Sequence, residues 1–340
     1  ADYFVEYIAA MQEQGIPIWG VTPENEPEHG GQFDTMVFYA ADEARFIAEN
    51  LGPTLEAAYP DVKILGYDHN KGSSHESYVN TLYDNADAVP YLDGTANHWY
   101  GSVINPFPSC LVNAETRHPG GIQIASEQGL SSLNDEIANE AFGNWHWFWE
   151  PKSKDWCTGQ SWCADQDEHP YIEGFYRYAR DIIVDLNYHN NGWIQWNALT
   201  DKMGGPSHYG DILDGSWEPI GTRAQSPVMV DMSAASPDET VFVLPIYYIL
   251  AHFGRFMDEG SHVLSTTVAQ ELEVATGDID TVAREAVVLA TAAANPDGSV
   301  AVVVLNTDSA AAVDYQITAG DQSVEVTIPA GGLQPVVLSP

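Results

Sequence analysis

The sequence predicts an α/β protein, a (β/α)8 TIM barrel incomplete at its N-terminus and followed by an all-β sandwich domain. Three observations predict it. Apolar strand-like runs alternate with amphipathic helical stretches from residue 2 to about 256, which is the β/α pattern. Beyond 262 the texture changes to short alternating runs separated by Asn-Pro-Asp-Gly, Asn-Thr-Asp and Ala-Gly-Asp turns, as in a sandwich. Two of the early runs end in a glutamate, the placement that barrel strands use to bring carboxylates to one mouth. The domains read in this way are 1–260 and 261–340.

The elements follow in order. Residues 2–14 read as a helix with Tyr3, Phe4, Ile8 and Met11 on one face. The first strand is 16–22. Residues 35–58 are helical, with Phe38, Ala41, Phe46 and Leu55 inward and Asp34 as a cap. Val62–Tyr67 is the second strand, leading to Asp68-His69-Asn70, and 76–87 is the next helix. Gly94–Tyr100 and Gln123–Glu127 are the third and fourth strands. A helix at 171–188, carrying Phe175, Tyr178, Ile182 and Leu186, leads to a fifth strand, Gly192–Asn197, and 241–256 is the last helix of the barrel. In the sandwich the strands are Ala286–Thr291, Val300–Leu305, Val313–Ile317 and Val324–Ile328. Five strands do not close an eight-stranded barrel, and an open barrel exposes long unpaired edges. The sequence therefore predicts an upstream segment holding three more strands.

Charge narrows the partners. There are 49 Asp and Glu against 12 Lys and Arg, a net −37, scattered along the chain. Such a surface repels nucleic acid and anionic membranes. No apolar run approaches the ~20 residues of a membrane span. Self-repulsion of this size is relieved by salt. Two readings follow, an ordinary acidic secreted protein and a salt-adapted one; only five of the bases are Lys, which favours the second. The chain starts on Ala without a basic, apolar leader, as after removal of a signal peptide or in a fragment. A secreted, extracellular protein is expected. Cys157 and Cys163 bracket a short loop and Cys110 stands alone, without zinc-site spacing. A Cys157–Cys163 disulfide and three unpaired thiols both fit.

The chemistry rests on Glu26 and Glu127. They lie roughly 100 residues apart, room for about three β/α units of a barrel of ~250 residues. Two carboxylates converging from different strands are what glycoside hydrolysis needs. Asn25 is placed to hydrogen-bond a sugar hydroxyl, and Pro27 fixes the turn. Glu24 is an alternative acid, because strand alternation points it the same way as Glu26. His98, Trp99, Tyr100, Trp196 and Asn197 form the expected sugar-binding wall, since sugar C–H faces stack on indole. Trp193 reads as core. His98 reads as a sugar ligand or as a hydrogen-bonded core residue. Tyr100 is placed to donate its hydroxyl to the nucleophilic carboxylate.

Val21-Thr22-Pro23-Glu24-Asn25-Glu26-Pro27, His98-Trp99-Tyr100, Ala125-Ser126-Glu127, Gly192–Asn197, Gly204-Gly205-Pro206 and Ser226–Asp231 occur in this order. With Leu51–Leu55 and Tyr248–Phe256, they resemble the family 30 glycoside hydrolases, most of all the glucosylceramidase branch. The resemblance runs from about residue 3 to 340. It implies a retaining β-glycosidase acting on β-glucosides such as glucosylceramide, or on a β-glucan. Glu26 would then be the acid/base, protonated by a raised pKa, and Glu127 the nucleophile, with carboxyls ~5–5.5 Å apart. No metal or other cofactor is implied. Endo-β-1,6-glucanase and β-xylosidase or xylanase are the alternatives within the family. A non-catalytic carbohydrate-binding protein is the alternative outside it, against which stands the presence of both carboxylates. The departure from the family is a Trp-rich segment at 143–170, with Trp156 and Trp162, expected to reshape the aglycone side.

Overall fold

In a computed structural model of the chain, the five expected barrel strands lie side by side in one sheet. The structure describes residues 1–30, 36–102, 105–129, 131–132, 175–201, 223–224, 226–230, 241–269 and 279–340. The Cys157–Cys163 loop, Trp156, Trp162, the 143–170 segment, Gly204-Gly205-Pro206, Asp231 and the Asp34 cap lie outside them. Two compact units result: 1–102 with 107–127 and 188–194, and 103–106 with 128–187 and 195–340.

The first unit is built on a sheet in the order β1 (Gly20–Val21), β2 (Lys63–Asn70), β3 (Gly94–His98), β4 (Ile122–Gln128), β5 (Gly192–Gln195). The pairs β1–β2, β2–β3 and β3–β4 are parallel. Helices α1 (Asp2–Glu13), α2 (Ala40–Phe46), α3 (Gly52–Ala58), α4 (His75–Asp84) and α5 (Pro108–Arg117) belong to the same unit. Ile8, Ile47, Leu51, Leu55, Ile64, Val79 and Leu82 are buried together. Each such side chain contributes about 1.5–3 kcal/mol. Gly94 is required where β3 meets β4, because a Cβ there would lie 1.7 Å from the Ile122 carbonyl oxygen.

Several expectations need correction. The first strand shrinks from 16–22 to two residues, which ladder on β2 alone. Tyr3 is 75% exposed, so the inward face of α1 is centred on Ile8. The 35–58 helix is interrupted by a π turn at Ile47–Leu51. Its buried face carries Glu43, Ala44, Ile47, Leu51 and Leu55, while Ala41 is exposed. α5 was not expected at all, although Pro108 at its first turn and His118-Pro119-Gly120 beyond its end are start and stop signals.

In the second unit, β6 (His262–Leu264), β7 (Val288–Ala294), β8 (Val300–Asn306) and β11 (Leu333–Leu338) form one antiparallel sheet in that order. β9 (Val313–Ala319) and β10 (Gln322–Ile328) form a hairpin closed by Gly320 and Asp321, with Gly320 at φ +58°. Ala290, Ala292, Val302, Val304, Ile317 and Ile328 bury against one another. The last strand was not among those expected; its Pro335 is tolerated because the strand pairs on one side only, with β8. Helix α6 (Phe175–Asn187) packs here, with the Asn187 amide donating to the Ala290 carbonyl at 2.9 Å. Helix α7 (Pro245–Gly254) starts with Pro at its first turn, after a short strand, Val241–Val243.

Candidate active site

Two bulges at the ends of β2 and β3 organise the site. Along β2–β3 the register jumps from Tyr67↔Ala96 to His69↔Asn97, leaving Asp68 as the extra residue. Along β3–β4 it jumps from Asn97↔Ala125 to His98↔Glu127, leaving Ser126 as the extra one. A bulge resets which side chains share a face. The two extra residues meet, with Ser126 Oγ donating to Asp68 Oδ1 at 2.6 Å. Thr22 Oγ1 donates to Asp68 Oδ2 at 2.6 Å. Tyr67 and Asp68 sit at φ +77° and +51°, the left-handed region, as does Glu26 at +51°. The Glu26 turn is tied to the bulge by its backbone N–H, donating to the Asp68 carbonyl at 2.9 Å.

His98, fully buried, lies between two carboxylates. Its Nδ1 is 3.2 Å from Glu26 Oε1 and its Nε2 is 3.1 Å from Asp68 Oδ1. His69 Nδ1 is 3.7 Å from the same Glu26 oxygen. Glu127 accepts the Tyr100 hydroxyl at 3.2 Å, and the His98 and Tyr100 rings lie 6.0 Å apart, edge to face. Tyr100 is held in turn by its N–H donating to the Asn70 side chain at 2.9 Å. Glu26, Asp68, His98, Tyr100, Ser126 and Glu127 are thus one cluster at the ends of four neighbouring strands, β1 to β4.

The electrostatics invert one expectation. Burial pushes Glu26 upward, but the His69 and His98 rings that face its carboxylate, His98 within hydrogen-bond distance, outweigh it. Glu26 is held well below the usual carboxylate range, not raised. Burial lowers His98, and the hydrogen bonds to Asp68 and Glu26 overcome it, pushing the ring up to about 9. Burial acts upward on Asp68 also, and its bonds from His98, Ser126 and Thr22 bring it down. Glu127 is raised: burial dominates, the His98 charge and the Tyr100 bond pull down, and the charges of Glu26 and Asp68 push up. An imidazole facing carboxylates at both nitrogens satisfies both only as the cation. Moving its Nδ1 proton to Glu26 keeps the same count and leaves Nε2–H on Asp68. The proton of the Glu26–His98 pair therefore rests on His98, one hydrogen bond away from the Glu26 carboxylate.

Other expected residues fall elsewhere. Trp99 is 3% exposed and packs edge to face on Trp193 at 5.7 Å, so it offers packing and no open indole face. His98 acts on Glu26, not on a sugar. Asn25 is exposed in the turn. Glu24 accepts the Met36 N–H at 3.2 Å, and no strand alternation applies to it, because the strand ends at Val21. Trp196 and Asn197 follow β5 and belong to the second unit, where the Trp196 N–H donates to the Gln128 carbonyl at 2.8 Å. Among the described residues no group of His, Cys, Asp or Glu is arranged to hold a metal ion, and no helix is long and apolar enough to cross a membrane.

The glycosyl hydrolase family 30 TIM-barrel domain matches residues 1–153 and 153–257, and the family's beta sandwich domain matches 277–335. The chain belongs to glycosyl hydrolase family 30. Among curated family relatives, lysosomal acid glucosylceramidase of Mus musculus is 28% identical over 315 residues, 91% of this chain and 50% of the relative. Endo-1,6-beta-D-glucanase of Neurospora crassa is 29% identical over 269 residues, 78% and 45% respectively. The chain spans about half the length of the curated relatives it matches. SrfJ from Salmonella typhimurium shares the fold with a TM-score of 0.73 at 19% identity, covering 100% of this chain and 61% of that one. An endo-beta1,6-glucanase does so at 0.72 and 21%, covering 100% and 62%.

Asp68 is the residue that sequence reasoning passed over. It stood in view within Asp68-His69-Asn70 at a strand end, the same position that singled out Glu26 and Glu127.

Proposed function

We propose that this family 30 chain carries the reacting centre of a retaining β-glycosidase that cleaves β-glucosidic bonds in the manner of a glucosylceramidase. The observation that carries the reading is the cluster itself. Two carboxylates from the ends of different strands each have their own hydrogen-bond partner, His98, which also bonds Asp68, for Glu26 and Tyr100 for Glu127. In the first step a Glu127 carboxylate oxygen bonds to the anomeric carbon and the glycosidic C–O bond breaks. The leaving oxygen takes its proton from Glu26. In the second step Glu26 takes a proton from water, the water oxygen bonds to the anomeric carbon, and the ester to Glu127 breaks.

With Glu26 ionised at rest, the cycle requires that the proton held on His98 be passed to it when substrate binds. A sugar covering Glu26 removes water from a carboxyl whose side chain is 21% exposed, which favours its neutral form. The proton then crosses from His98 Nδ1. Moving that proton removes the Glu26 charge that raises Glu127 and the larger His98 charge that lowers it, which leaves the Tyr100 hydrogen bond to hold the nucleophile ionised.

The glucosylceramidase and endo-1,6-glucanase relatives support hydrolysis of a β-glucoside or β-glucan; xylan-type substrates stand as the alternative. A secreted, salt-adapted setting is part of the proposal, supported by the net charge of −37. The test is hydrolysis of an aryl β-glucoside and an aryl β-xyloside by the chain and by Glu127→Gln. Cleavage lost in Glu127→Gln is expected. A variant that still turns over would overturn the assignment, and binding of oligosaccharides without cleavage would favour a carbohydrate-binding protein.

A further inference from the structure

Beneath the cluster lies a carboxyl that this chemistry does not use. Glu43, on the inward face of α2, is 1% exposed. Its Oε1 accepts the Tyr67 N–H at 3.0 Å, and its Oε2 lies 2.7 Å from the Tyr78 hydroxyl oxygen. That hydroxyl oxygen also lies 2.6 Å from the Phe38 carbonyl oxygen. A phenol has one proton to give, and a carbonyl has none. With the Tyr78 proton on Phe38, the contact to Glu43 is a hydrogen bond only if the carboxyl supplies the proton. The reverse choice leaves two oxygens 2.6 Å apart with no proton between them.

The surroundings agree. The groups facing Glu43 are Tyr67 and Asp68 of β2, Tyr78 of α4 and Glu24 of the loop after β1. The ion pair on its own helix, Arg45–Asp42, is exposed. Burial pushes the Glu43 carboxyl up to about 7 against the hydrogen bonds around it, and the charges of Asp68 and Glu24 add to the rise. Gly66 leaves the space, since a Cβ there would lie 3.1 Å from Glu43 Oε1 and 2.7 Å from Leu82 Cδ1.

Two chains of bonds run from Glu43 to the site. One goes through the Tyr67 N–H to the left-handed pair Tyr67 and Asp68. The other goes through Tyr78 to Phe38, whose N–H donates to the Pro27 carbonyl at 2.8 Å, next to Glu26. We propose that Glu43 is a positioning residue, held as the neutral acid, that clamps the Glu26 turn and the Asp68 bulge together, and that its ionisation switches the site off at alkaline pH. Ionisation removes the donor to Tyr78 and sets a second negative charge behind Asp68. The switching half of the proposal rests on Glu26 and Glu127 being the reacting pair; the protonation half does not.

Glu43→Gln and Glu43→Leu in the full chain test it. Glutamine accepts from Tyr67 and donates to Tyr78 at every pH. Infrared difference spectra of wild type minus Glu43→Gln, at slightly acid pH, should show the C=O stretch of a carboxylic acid. For melting temperature, the folded pKa lies above the unfolded value. The stability it gives wild type is full below 4.5 and is lost as pH rises toward about 7. The melting temperature of Glu43→Gln minus wild type should therefore rise across that window. In hydrolysis of an aryl β-glucoside, the alkaline limb of kcat/KM should move in Glu43→Gln from near 7 toward the His98 value of about 9. Glu43→Leu should lose about tenfold or more at all pH. Absence of the acid band with a flat melting difference overturns the proposal even if no glycoside is cleaved. An alkaline limb unmoved in Glu43→Gln overturns the switch.

Discussion

Exchanging Asp68 for Asn removes the negative charge behind His98 while keeping the side chain's shape. His98 rises from 6.5 to about 9 against its own burial, and its bond to Asp68 is the largest of the raising influences. That rise is worth about 3 kcal/mol in favour of the imidazolium. If Asp68 supplies half or more, Asp68→Asn gives up about 2 kcal/mol, and His98 falls to near neutrality or lower. The amide also has a single acceptor oxygen where the carboxylate served Thr22, Ser126 and His98. One buried donor then loses its partner, at about 1–3 kcal/mol of stability. Titration of the His98 ring by NMR reads the first effect, thermal melting the second, and kcat/KM against pH the consequence for the proton that His98 passes to Glu26. Hydrolysis at mildly alkaline pH should drop about 10–100-fold. A His98 ring that titrates as in wild type, with activity intact, would refute the coupling.

Tyr100→Phe deletes the donor to Glu127 Oε1 and should raise Glu127 further. Because the nucleophile must be ionised, the acid limb of kcat/KM should move to higher pH by under one unit, about 1 kcal/mol; a limb that stays put or moves down contradicts this. Asn190→Ala breaks the buried contact in which the Asn97 amide donates to Asn190 Oδ1 at 3.0 Å. Denaturant titration should show a loss of about 1–3 kcal/mol, and no loss would mean the pair is idle. With a net charge of −37, melting temperature should climb from low to molar salt as repulsion is screened. A flat response would end the salt-adapted reading.

The parts of the fold that were legible in sequence are those where local pattern and tertiary context agree. Glu26 and Glu127 stood out because each closes an apolar run, and Gly320-Asp321 announced its hairpin by composition. What escaped depends on one-residue irregularities. The bulges at Asp68 and Ser126 shift register without any local motif, so alternation could not place Asp68, Ser126 and His98 on one face. The π turn at Ile47–Leu51 offsets the helical face, so the inward set Phe38, Ala41, Phe46 and Leu55 did not include Glu43. Trp99 was misjudged for a related reason, since an indole has the same composition signal whether it meets a sugar or Trp193. The raised pKa expected of Glu26 considered burial alone and omitted the two imidazoles that face it.

The backbone at Glu26, Tyr67 and Asp68 has a practical consequence for anyone trying to toughen this protein. Glycine occupies such dihedrals freely, whereas an L side chain there gives up roughly 1–2 kcal/mol. Selection for heat resistance alone would push Glu26 toward glycine and erase a reacting group, whereas at Tyr67 and Asp68 the buried ring and the buried hydrogen bonds outweigh the backbone gain. Libraries screened on melting temperature should therefore hold codon 26 constant, and a hardened Glu26→Gly clone is expected to be inert.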